Sequence, residues 1–273
     1  MLRKIAICLF IGFGMLGSAN AQDSEFGILI GGNYYIGDLN PSGHFYNTQV
    51  AGSIFLRHNF NPRVALRGNL MIGSVEAADS DFEDVPDQLQ RNLQFSSNLL
   101  EFAGLLEINF YEYRIGDVET PFTPYVFFGI SVFKFNPTAE FQNKTVELQP
   151  LGTEGQGTSL SDMDKYNLTQ LAIPFGGGFK INLTPKIGIN LEYGFRKTFT
   201  DYLDDVSTVY VDPAVLEAES SELAARMADR TQNGNAEIGS NRGNSTSDDW
   251  FSFAGIGLTF RIGGRRNTCP SWD

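Results

Sequence analysis

Three things are scarce in this chain of 273 residues, and each scarcity excludes a class of protein. Apolar runs are short: Ile5 to Leu16 falls below the ~18 residues of a spanning helix, and no later stretch approaches that length. A bundle of membrane helices is therefore excluded, and a membrane protein of this sequence would have to be a closed barrel. Basic residues are few, 20 Lys and Arg against 32 Asp and Glu, a balance that argues against a nucleic-acid partner. Histidine and cysteine number two each. Neither His44 nor His58 has a Ser/Asp partner or metal-ligand spacing that the sequence can show, so no enzyme, metal or cofactor is expected.

The N-terminus has the form of an export leader. Arg3 and Lys4 precede the apolar run, and Ala19-Asn20-Ala21 is a small-x-small cleavage site, which makes residues 1–21 a signal peptide, with a transmembrane signal-anchor as the rival reading. Cleavage removes two basic residues and leaves a formal charge of −14, 18 Lys and Arg against 32 Asp and Glu. Cys8 lies inside the leader without the Leu-x-x-Cys context of a lipoprotein. Cys269 then stands alone, either a free thiol or half of an intermolecular disulfide.

What is abundant is alternation. From Ile187 to Phe195 every odd position is apolar and every even one small or polar, and seven other segments keep the same beat. Side chains of a strand alternate faces, so each segment has one greasy face and one that tolerates charge. Strands are predicted over Phe26–Gly37, Val50–Asn59, Arg63–Val75, Leu99–Tyr111, Thr123–Phe135, Leu168–Leu183, Lys186–Lys197 and Trp250–Ile262. Connections one, three, five and seven are long; two, four and six are short or modest. That asymmetry, with mid-strand Glu, Arg and Lys, predicts an all-β fold: an eight-stranded antiparallel transmembrane β-barrel of outer-membrane type over residues 22–262, surrounded by lipid. An even strand count puts both termini on the periplasmic side, and residues 263–273 become a periplasmic tail.

Phasing each strand by its greasy face sorts the side chains. Arg57, Arg67, Glu101, Glu107, Lys180, Glu192, Arg196 and Arg261 fall inward as an ion-pair network, with Asn33, Asn69, Asn109 and Asn182. Leu66, Leu70, Ile72, Phe102, Leu106, Ile108, Phe128, Ile130, Val132, Phe175, Ile256, Leu258 and Phe260 face lipid. An eight-stranded barrel is just wide enough for side chains to fill, so the network is expected to plug the lumen. Arg196 is expected to pair with one of Asp201, Asp204 and Asp205. Aromatics near strand ends read as interfacial girdles.

The outer loops are harder to read. Asp212-Pro213 starts a short exposed helix within Ala214–Arg230, while Thr231–Ser247 and Leu151–Ser161 read as irregular, the former as flexible coil. Asp79-x-Asp81-x-Glu83 resembles the opening of a calcium loop but lacks the Gly at position six and the closing Glu, so it reads as an acidic solvated loop. Gly176-Gly177-Gly178 falls mid-strand and reads as a close approach inside the barrel. The tail is surplus to closing the barrel, which makes Arg265, Arg266, Cys269 and Trp272 candidates for contact with a partner.

Three segments carry a family resemblance: Gly31–Asn40, Leu183-Thr184-Pro185-Lys186, and, most specifically, Glu192–Ser207. Together they resemble the PorG-type barrels of Bacteroidota, an outer-membrane component of the type IX secretion system. The resemblance implies a non-enzymatic role in protein secretion, anchoring a periplasmic ring built from a PorK-like lipoprotein and a PorN-like protein. It also makes an intermolecular disulfide at Cys269 one route to that partner. A surface adhesion or binding barrel working through the long acidic loops is the alternative.

Overall fold

The structure, a computed structural model, describes residues 24–41, 43–82, 85–231 and 234–262. The leader and the tail, with Arg265, Arg266, Cys269 and Trp272, lie outside the described residues. Alternation produces strands where it was expected: β1 (Ser24–Ile36), β2 (Gln49–Asn59), β3 (Val64–Ala78), β4 (Gln94–Asn109), β5 (Phe122–Lys134), β8 (Thr169–Asn182), β9 (Ile187–Thr198) and β10 (Trp250–Ile262). Each pairs antiparallel with its neighbours, and β10 closes onto β1. Closure matters because a wall without edges leaves no backbone group unpaired in lipid.

Register fixes the geometry of the wall. The paired row from Asn109 runs through Tyr125, Gly178, Glu192, Gly255, Gly31, Ala51 and Gly73, and returns to β4 at Leu99, ten residues away. With a rise of ~3.3 Å and a strand spacing of ~4.8 Å, that stagger tilts the strands by about 40°. Such a barrel has room for side chains and no more.

The two faces invert the usual distribution. Outward residues are exposed although apolar, Ile130 at 74% and Ile72 at 63%, whereas inward Arg67, Glu101 and Glu107 are fully buried. So wide an apolar surface is not stable against water, and lipid is the solvent that suits it.

The ends differ. At one, tight turns join β2 to β3 and β8 to β9, closed by amides of Phe60 and Asn61 on Val64 and of Leu183 and Thr184 on Ile187. The segment 110–121 folds across that end, burying Tyr113 and Ile115, and the Asn182 amide holds it by the carbonyls of Arg114 and Asp117. At the other end the long loops pack into a cap. It contains a hairpin, β6 (Pro137–Phe141) and β7 (Lys144–Glu147), that the sequence did not reveal because its strands are too short to show a period. Its turn, Gln142-Asn143, has positive φ at both residues.

Among the described residues, three short α-helices complete the cap: α1 (Pro86–Arg91), α2 (Pro213–Glu219) and α3 (Glu222–Ala228). The single exposed helix expected here is instead two. Asp212 accepts from the Ala214 amide to start α2, and the Ser221 hydroxyl does the same for α3 through Ala224. Leu216, Ala224 and Ala228 pack on Leu151, Leu160 and Val211, so the pair is docked rather than free. The coil expected after it is likewise pinned: Arg242 is buried, and its amide donates to the Thr208 carbonyl.

Candidate functional site

Inside the wall, strand register brings charges together that lie far apart in sequence. Glu107 of β4 sits among three cations, Arg57 Nε at 2.7 Å, Arg67 Nη1 at 3.1 Å and Lys180 Nζ at 2.6 Å. Glu25 pairs with Arg57 at 2.7 Å, and Glu192 takes both terminal nitrogens of Arg67 while accepting from the Tyr125 hydroxyl. Arg57 and Arg67 lie over the Phe55 ring, Arg67 also over Phe127, and Lys180 over Tyr125. Aromatic faces thus take the positive charge that the carboxylates leave uncovered. The Phe127 ring fits only because Gly176 and Gly194 lack side chains; a Cβ at either would lie within 3 Å of it. That is the close approach expected of the glycine run.

Farther along β4, beyond Leu105 and Ala103, Glu101 pairs with Arg196 at 3.3 Å. The sequence put the partner of Arg196 among Asp201, Asp204 and Asp205, and this is corrected: β9 turns the guanidinium into the barrel, toward the opposite wall. Four carboxylates therefore meet four cations in the lumen. Arg261 lies at the turn end, donating to the Ile115 carbonyl at 3.3 Å. With balanced charge, filled volume and a covered turn end, the interior is a plug.

The cap is built on the opposite balance. Asp38, Asp79, Glu154, Asp201, Asp204, Asp205 and Asp249 gather there, all buried or half-buried, and Arg91 and Arg242 hold them together. Glu154 accepts from the Ser207 and Thr208 amides, the Thr208 hydroxyl and Arg242, stapling the third long loop to the fourth. Asp205 accepts from the Thr153 and Tyr166 hydroxyls. Burial pushes its carboxyl up to about 6 despite nearby Arg242, and pushes Asp201 up to about 7. Asp79, the first residue of the calcium-like run, is occupied by Arg91 and the Leu93 amide. Among the described residues no three Asp, Glu, His or Cys are arranged to hold a metal.

The first loop folds down over the outer face of the wall. There His44 Nδ1 lies 2.9 Å from the Tyr34 hydroxyl, and Phe45 stacks on Tyr193. Trp250, Phe175, Phe195 and Phe199 continue this aromatic band, with Lys197 between Phe199 and Trp250. It has the position and composition of an interfacial girdle.

Because strands carry a period, sequence reasoning found the charged residues of the lumen network except Glu25, which stands before the expected start of the first strand at Phe26. It also missed Glu154, Arg242 and Asp249, which stand in segments without a period; their only signal was charge within a loop otherwise rich in Gly, Ser and Asn.

A closed wall of eight antiparallel strands, apolar outside and ionic inside, defines an outer-membrane-type transmembrane β-barrel. The chain belongs to the DUF6089 family, a domain of unknown function, whose model matches residues 3–213. No curated protein matches it. Among solved structures it is similar to Neisserial surface protein A, with a TM-score of 0.44 at 8% identity, covering 88% of this chain and 97% of that one. It is also similar to OprG from Pseudomonas aeruginosa, with a TM-score of 0.42 at 11% identity, covering 88% and 98%. Ail of Yersinia pestis, in complex with the heparin analogue sucrose octasulfate, gives a TM-score of 0.40 at 10% identity, covering 88% and 99%.

Proposed function

We propose that this protein is a non-enzymatic anchor of the outer membrane, with its turns and both termini in the periplasm and its cap outside. In this reading it serves the type IX secretion machinery by tying a periplasmic ring to the membrane. The observation that carries it is the shut barrel: a neutral, filled lumen, covered at one end by residues 110–121 and at the other by the cap, offers no passage for a substrate. A wall with no conduit is suited to holding something in place. The leader motif supports export, and the resemblance of Glu192–Ser207 to PorG-type barrels supports the particular machinery.

The tail is the proposed contact. Deleting residues 263–273 should release a PorK-like lipoprotein and a PorN-like protein from purified outer membranes and stop secretion. The barrel itself should remain heat-modifiable on electrophoresis. Cys269→Ser should remove any larger species seen without reductant. Undiminished co-purification and secretion after tail deletion would overturn the reading. The second reading, an adhesion barrel, is favoured by the packed cap, which presents a defined surface. It expects deletion of residues 213–247 to abolish binding while secretion continues.

A further inference from the structure

The Tyr35 hydroxyl is buried where β1 enters the cap, and it touches two carboxylates, Asp204 Oδ2 at 2.5 Å and Asp249 Oδ1 at 2.7 Å. A phenol carries one proton. It can donate to one of the two, so the other oxygen must carry a hydrogen and donate to the phenol. The remaining carboxylate oxygens are already in use: Asp204 Oδ1 accepts from the Val206 amide and Asp249 Oδ2 from the Leu203 amide, each at 2.9 Å. Gly37 leaves room for the arrangement, since a Cβ there would lie 2.0 Å from both the hydroxyl and Asp249 Oδ1.

The surroundings favour keeping that proton. Asp38, just beyond β1, and Asp201, in the same loop, add negative charge toward the trio. Arg91 of α1 is the cation facing it, but its guanidinium is engaged by Asp79 and by the carbonyls of Asp38 and Arg242. Glu154 and Arg242 bear on Asp38 and are bonded to each other.

We propose that Asp204, Tyr35 and Asp249 form a proton latch, in which one shared hydrogen pins both ends of the loop 199–249 to β1 and holds the cap shut. Asp204 follows β9 and Asp249 immediately precedes β10, so the trio gathers the two ends of the longest loop. Losing the hydrogen leaves two carboxylates on one phenol, and their repulsion opens the loop. Burial raises both carboxyls, which brings the release toward neutral and alkaline pH. From the ordinary carboxylate range up to the value at which the closed latch ionises, the open fraction grows about tenfold per pH unit, and above that value it levels off.

Limited proteolysis of the full chain, purified in detergent, tests this. Proteinase K cleavage within residues 208–247 is measured from pH 6 to 9, each rate divided by that of the denatured chain at the same pH. The native protein should be cut slowly at pH 6 and at least tenfold faster at pH 9. Asp249→Asn supplies an amide that donates to Tyr35 while its oxygen keeps the Leu203 amide, so its cleavage should stay slow at pH 9, keeping only the small rise up to about pH 7 that Asp205 and Asp201 give. Asp204→Asn should behave the same way through Val206. A flat profile in the native protein, or the native rise retained in both amide variants, overturns the latch. If neither amide variant gives a heat-modifiable barrel, Tyr35→Phe decides: it should be cut quickly even at pH 6, and a closed cap there overturns the proposal.

Discussion

The lumen and the cap are both buried and both charged, yet they handle charge in opposite ways. In the lumen, four carboxylates meet four cations, and Glu107 alone touches three of them. In the cap, seven acids share Arg91 and Arg242, and carboxyls there are pushed upward by burial. The difference lies in what positions the groups. Lumen residues stand on strands whose register a closed wall fixes, so each charge has a partner at a fixed height. Cap residues stand on loops, where excess acid is tolerated by holding protons and by hydrogen bonds from hydroxyls and amides. The lumen is therefore a permanent structure, and the cap a conditional one.

The largest effect should come from unbalancing the lumen. Glu107→Ala takes a carboxylate from three buried cations and leaves Lys180 with none, and should cost about 3–5 kcal/mol, read as a lower urea midpoint for loss of the heat-modifiable band. If the barrel tolerates it unchanged, the lumen charges are not coupled as their distances require. Arg242→Ala should cost about 3 kcal/mol, but in the cap alone, because it unpairs Glu154 while leaving the wall intact. Faster proteolysis of residues 208–247 with an unmoved urea midpoint is the expected pair of results.

Acidity separates the regions more gently. A carboxyl whose folded value is raised stabilises the fold most at low pH, and that contribution is lost as pH rises through the raised value. For Asp205 at about 6 and Asp201 at about 7, against an ordinary value near 4, the loss falls between about pH 4 and 7. Proteolysis of the cap should therefore accelerate across that window while the urea midpoint of the barrel stays level. The smallest effect belongs to the exposed surface: Lys197→Ala removes a half-exposed pair with Asp248 at 3.1 Å and should change stability by less than ~1 kcal/mol.

Much of the wall was legible before the structure. Glu101, Glu107, Lys180, Glu192 and Arg196 could be assigned to the inside because a strand repeats every two residues, and one phase error would have turned every side chain over. Arg196 shows the limit. Its direction could be read from alternation, but its partner Glu101 lies 95 positions away, and only strand order and stagger bring the two together. Proximity in sequence favoured Asp204 and Asp205, and proximity misled. The cap was less legible still. Glu154 and Arg242 stand in segments without a period, and Asp249 gives no sign in sequence that it meets Asp204 on the hydroxyl of Tyr35.

The sequence by itself determined that the chain forms a barrel and which face of each strand meets lipid. It could do so because alternation is a local property and because a sheet in lipid has to close. Only the tertiary structure decided which charges pair, that the barrel is shut at both ends, and that its longest loops form a packed, acid-rich lid. Those outcomes depend on the ten-residue stagger of the closed wall and on contacts between loops, and neither leaves a mark in any short stretch of chain.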